Sequence, residues 1–159
     1  MSQFQFSVGP WNVHSGADAY GPSTRSEIDR DEKIRRFAEM GFSAIQFHDD
    51  DAIPNINQYN EEQIKEKAHQ LRAYLDSLNL KSEFVAPRLW MDPHTVDGGF
   101  TSNSKEDREY AMWRAYRSID IANILGAPMI VLWLAREGTS CSESKSAVEA
   151  TKLMIDALN

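Results

Sequence analysis

Four short runs suited to β-strands, at 4–8, 43–47, 81–86 and 129–133, alternate with four segments of helical periodicity. No other feature constrains the fold as tightly. Segment 31–40 places Ile34, Phe37 and Ala38 on one face and charges on the other. Segment 60–78 repeats Ile64, Ala68, Leu71, Leu75 and Leu78 at spacings of three and four, and 104–125 does the same with Ala111, Ala115, Ile119, Ala122 and Leu125. A fourth amphipathic run covers 143–158. Ser104 with Asp107 three residues on predicts a capping box. Gly41 and Gly126 stand just before strands, where a helix C-terminus favours a left-handed residue.

The order is β-α four times, in units of about 40 residues, which implies parallel strands covered by helices. Two architectures meet that description. One is an open, doubly wound sheet. The other is a (β/α)8 TIM barrel, which takes about 250 residues, so this chain would supply only its first four βα units, a half barrel. Gly9-Pro10-Trp11 after the first strand is not the Gly-rich phosphate loop of the doubly wound class. The chain ends at Asn159 with neither a closing strand nor a helix cap, as a truncated chain would. Residues 1–159 are therefore expected to be one unit, the N-terminal half of a barrel.

Composition removes several function classes. Seventeen basic and twenty-four acidic side chains leave a net charge of −7, which argues against nucleic acid as the partner. Residues 1–9 lack the basic and apolar stretches of a signal peptide. No apolar run approaches the roughly 18 residues of a membrane span. The single cysteine, Cys141, cannot form an internal disulfide, which fits a cytoplasmic setting.

In both architectures the functional face lies at the C-terminal ends of the strands. Trp11 follows the first strand, His48 and Asp51 the second, Trp90 the third, and Trp133 ends the fourth. Indole faces beside polar groups suit a sugar, whose C–H faces pack on rings while its hydroxyls need hydrogen-bond partners. A carboxylate three residues from a strand-end histidine can hold one ring nitrogen and leave the other as a base. Asp49 and Asp50 are expected to be solvated strand-end residues, because neighbouring strand side chains diverge and cannot all reach one metal ion. His14, His69 and His94 have no evident partner, Trp113 is expected in the outer helical layer, and Arg136-Glu137 reads either as a pocket ion pair or as a surface pair. Asp97-Gly98-Gly99-Phe100 reads as a turn.

These residues carry a resemblance. Phe47-His48-Asp49-Asp50-Asp51 with Ile53-Pro54 resembles the second-strand motif of xylose isomerases. Asp97-Gly98-Gly99-Phe100-Thr101-Ser102-Asn103 is similar to the stretch after their third strand, and Trp133 with Arg136-Glu137-Gly138 to their fourth-strand motif. Phe6, Gly9, Trp11, Val13 and Gly21 fit the opening segment. The resemblance implies an aldose–ketose isomerase converting D-xylose to D-xylulose, and glucose to fructose. It makes His48 the ring-opening histidine and Asp51 its orienting carboxylate, both catalytic. It places Trp11, Trp90 and Trp133 on the substrate-binding wall, and Tyr20 where a phenylalanine reaches a neighbouring subunit's site. It also implies a homotetramer and two divalent ions, Mg²⁺ or else Mn²⁺ or Co²⁺, whose ligands lie on strands five to eight, so that no residue here is a metal ligand. Alone, the chain is then expected to be inactive. Arg88, Trp90, Asp92 and Leu134-Ala135 depart from the family's asparagine, phenylalanine, histidine and glycine pair. Those departures leave room for another sugar isomerase or epimerase on the same barrel. The missing strands leave room for a non-catalytic carbohydrate-binding or assembly module.

Overall fold

The computed structural model describes residues 4–18, 20–134, 136–138, 141 and 143–159. Four strands, β1 (Ser7–Val8), β2 (Ala44–His48), β3 (Lys81–Ala86) and β4 (Met129–Ile130), form one parallel sheet in the order β1-β2-β3-β4. A doubly wound sheet reverses its strand order partway along, whereas here each strand pairs with the next in sequence, as in a barrel. Right-handed crossovers that always advance in one direction keep the helices on one face of the sheet. The half barrel is therefore the architecture present, with β1 and β4 as its edges.

The helices are α1 (Arg30–Glu39), α2 (Asp49–Ala52), α3 (Glu61–Ser77), α4 (Lys105–Leu125) and α5 (Ala147–Leu158). The caps explain their limits. Asn60 and Gln63 form a reciprocal capping box at the start of α3. At α4 only half of the expected box exists: Ser104 accepts from the Asp107 N–H, but the Ser104 N–H goes to Ser102 Oγ. Gly126 ends α4 at φ 68°, and the Ala127 N–H bonds the Ala122 carbonyl, the 6→1 closure that a left-handed residue permits. The first and last expected strands shorten to two residues each, and α5 starts at Ala147, capped by Ser146, rather than at 143.

Side-chain alternation divides the sheet. Ile45 and Phe47 of β2 and Val85 of β3 pack against Ile34 and Phe37 of α1, Leu71 and Leu75 of α3, and Ile121 and Leu125 of α4. The register slips by one residue between Ile45 and Gln46, so that Ser82 faces Ile45 but Phe84 faces Gln46. Without that bulge Phe84 would turn into the helical layer and Val85 out of it, because a one-residue slip reverses every later side chain. Alternation along β2 sends Gln46 and His48 to the concave face, and the bulge brings Phe84 and Ala86 of β3 to the same face. Helix α5 buries no residue, and Val148, Ile155 and Leu158 stay exposed along it. Among the described residues no helix is long and apolar enough to cross a membrane.

Candidate functional site

Strand β2 delivers His48 to the rim and passes straight into the single helical turn α2. Successive side chains of a helical turn fan out by about 100° instead of alternating between two faces. The expected divergence of three extended aspartates is therefore corrected: Asp50 and Asp51 stay beside His48, while Asp49 turns into the protein and is fully buried. His48 Nδ1 lies 2.6 Å from Asp51 Oδ2, and the His48 backbone N lies 3.4 Å from the same oxygen. Burial pushes the Asp51 carboxyl up, but the hydrogen bond from His48 and the charge of Arg88 outweigh it and hold it below the usual carboxylate range. An ionised carboxylate only accepts, so Nδ1 carries the proton of the neutral ring and the lone pair sits on Nε2. Among the described residues Nε2 has no hydrogen-bond partner.

Arg88 closes this group from the β3 side. Its Nε lies 2.7 and 3.0 Å from the two Asp50 oxygens, and its Nη2 lies 2.9 Å from Asp51 Oδ2. Donor atoms of His48, Asp50 and Asp51 come within 4.8 Å of one another, a spacing that by itself would suit a cation. The single Arg88 guanidinium is shared by both carboxylates, so a cation would compete with it for those oxygens.

The three strand-end tryptophans converge as the sequence predicts. Trp11 lies 4.3 Å from the His48 ring, Trp90 meets that ring edge-on at 5.0 Å, and Trp133 continues the row 6.0 Å from Trp90, all between centroids. Together with Gln46, Phe84 and Arg88 they line a cleft of about 570 Å³ on the concave face. Trp133 is the outermost and is 62% exposed. Tyr20 is not brought to this cleft; it is wholly exposed, in a turn where its N–H bonds Asp18. Trp113 lies on the outer face of α4, with the Arg117 guanidinium 4.2 Å from its ring centroid, as expected of the outer layer.

Behind the rim lies a buried ionic cluster that the sequence reading missed. Asp49 accepts Nε and Nη2 of Arg114 at 2.7 and 3.0 Å, Nη2 of Arg117 at 3.4 Å, and the Arg88 backbone N–H at 3.0 Å. Asp49 is thus an internal counter-ion and not the solvated residue expected. Asp92 adds a 3.5 Å contact to Arg114 and accepts the Tyr110 hydroxyl at 2.7 Å. Burial and then Asp92 raise the Tyr110 pKa. The signal was present: Arg114 falls on the buried stripe of α4 with Ala111, Ser118, Ile121 and Leu125, where an arginine needs a buried partner.

Other expectations change as well. His94 has two partners, Asp107 at 3.0 Å and the Tyr110 ring stacked at 4.7 Å. His14 accepts the Gly16 N–H, and His69 is exposed on α3. Arg136 and Glu137 form neither kind of ion pair; each reaches the segment between β3 and α4, Arg136 Nε to the Trp90 carbonyl at 3.1 Å and Glu137 to three backbone N–H groups.

A family model described as a xylose isomerase-like TIM barrel matches residues 34–159. A crystal structure of a xylose isomerase domain protein from Planctomyces limnophilus superposes with a TM-score of 0.58 at 15% identity, covering 98% of this chain and 49% of that one. At that identity the likeness shows the fold. The chain spans about half the length of that protein.

Proposed function

The chain belongs to the xylose isomerase-like TIM barrel family, and on that premise we propose that its rim opens the ring of a cyclic aldose within an aldose–ketose isomerase, acting on D-xylose and also on D-glucose. The observation that carries this reading is the His48–Asp51 pair set between two indoles, with His48 lining the cleft and its Nδ1 held by Asp51. Nε2 takes the proton from the anomeric hydroxyl as the bond from C1 to the ring oxygen breaks, and the imidazolium returns that proton to the ring oxygen. Asp51 holds the tautomer in which Nε2 is the acceptor. Trp11, Trp90 and Trp133 form the wall for the sugar's C–H face. Two divalent ions, if bound by a complete barrel, would supply the electrophilic help for a hydride shift between C1 and C2. Full exposure of Tyr20 supports a role in a neighbouring subunit's cleft in a homotetramer. A cytoplasmic setting fits the same reading. Arg88 and Leu134, which depart from the asparagine and glycine of the family pattern, favour as a second reading a different sugar on the same barrel.

The test uses the full barrel that contains this chain. His48→Asn should cut kcat for cyclic aldose by about 10²–10⁴, the worth of one acid–base group. Glyceraldehyde cannot cyclise and should be turned over nearly as well as by wild type. Equal losses for both substrates would remove His48 from ring opening, and no loss for either would make it structural.

A further inference from the structure

The carboxylate of Glu137 sits in a seat that no reading above has used. It accepts the consecutive N–H groups of Gly99, Phe100 and Thr101 at 3.0, 2.9 and 3.0 Å, and also the Thr101 hydroxyl. We propose that Glu137 is a positioning residue: seated on these amides, it fixes the segment after β4 against the segment after β3, holds Trp133 against Trp90, and so sets the width of the aromatic wall of the cleft.

The donor count selects a carboxylate. Four donors converge on two oxygens, and an ionised carboxylate offers about four lone-pair sites and no hydrogen. A glutamine would turn an NH₂ group toward donors, and an aspartate is one methylene short. The backbone is shaped for the same guest. Gly98 is left-handed at φ 95°, and a Cβ there would lie 3.1 Å from Glu137 Oε2; a Cβ on Gly99 would lie 3.0 Å from Oε1. A side chain at either glycine would crowd the carboxylate and force it to shift, and at Gly98 it would also clash with Thr101 Oγ1, which gives Gly98-Gly99 a reason beyond a simple turn. Two further ties join the same segments. Arg136 Nε reaches the Trp90 carbonyl at 3.1 Å, and Lys145, itself buried, donates to the Asp97 carbonyl and lies 3.3 Å from its carboxylate. The Asn103 N–H and, against the upward push of burial, the Lys145 ammonium hold the Asp97 carboxyl below its ordinary value. Trp133 is four residues from Glu137, and the Glu137 N–H closes back on the Leu134 carbonyl at 3.2 Å. Trp133 itself is 62% exposed, so little packing holds it, and the latch beside it decides where its ring stands.

The proposal rests on the sugar-site reading only for the use of the wall, so its test contains no sugar. Two indoles 6.0 Å apart and inclined at 47° couple their transitions and give a paired band in far-ultraviolet circular dichroism. Trp133→Phe in the chain sets the baseline. Glu137→Gln and Gly99→Ala attack one contact from opposite sides, and each should remove more than half of the paired band while the helical signal stays. A band of wild-type size in both variants overturns the proposal. If either variant loses its helical signal, amide exchange in the wild-type chain decides. Protection of Gly99, Phe100 and Thr101 by about 100-fold or more supports the seat, and exchange at the free-peptide rate overturns it.

Discussion

Replacing Arg114 with methionine should cost about 3–5 kcal/mol of stability, whereas the same change at Arg117 should cost less than about 1 kcal/mol. Both arginines are buried in α4 and both reach Asp49, so a count of ion pairs would rank them alike. The geometry does not. Arg114 grips Asp49 with two bonds of 2.7 and 3.0 Å and also lies near Asp50 and Asp92. Burial works against its charge, but Asp49, and after it Tyr110 and Asp50, more than offset the penalty and raise its pKa. Removing it strands a fully buried carboxylate with one 3.4 Å contact to a charged group, the case in which breaking a buried pair is most expensive. Arg117 stands differently. Among the described residues its Nε has no partner, its contacts to Asn57 are 3.4 and 3.5 Å, and burial draws its pKa below the ordinary value. Methionine there removes an uncompensated donor and keeps most of the volume, while Asp49 retains Arg114 and the Arg88 amide. Urea unfolding reads the difference directly. With a slope of about 2 kcal/mol per molar, Arg114→Met should lower the midpoint by about 2 M and Arg117→Met by less than about 0.5 M. Equal shifts, or a larger one at Arg117, would refute the reasoning.

Asp51 gives a pH signature. Its folded carboxyl is held below its unfolded value of about 3.9, so it contributes stability that is fully present above that value and lost as pH falls through the folded one. The stability gap between wild type and Asp51→Asn should narrow as pH falls below about 4; a gap that widens over that acid range in a denaturant–pH series would contradict this. In the full barrel, Trp133→Ala should raise KM for xylose with kcat less changed, by about 1–3 kcal/mol in kcat/KM, because an apolar wall touches ground and transition states alike. An unchanged KM in steady-state kinetics would return Trp133 to mere packing.

Local pattern and residue chemistry decided much of this protein in advance. The 3.6-residue stripes of α1, α3 and α4, the cap at Ser104, and the left-handed Gly126 depend on neighbours within one turn, so the sequence states them outright. Strand-end placement of His48, Trp11, Trp90 and Trp133 followed from the same alternation. What it left open was whether the sheet runs on in one direction or reverses. That depends on which strand each β-segment pairs with, a contact between residues some 40 positions apart. The bulge that turns Phe84 to the cleft and Val85 to the core is likewise a relation between two strands and leaves no mark on either alone. The charged residues show the same division. Asp50 and Asp51 beside His48 are neighbours along the chain, but Asp49 meets Arg114 across 65 residues and Glu137 meets Gly99 across 38. A buried charge or an occupied set of amides is energetically decisive only once the partner arrives, and tertiary packing alone brings it there.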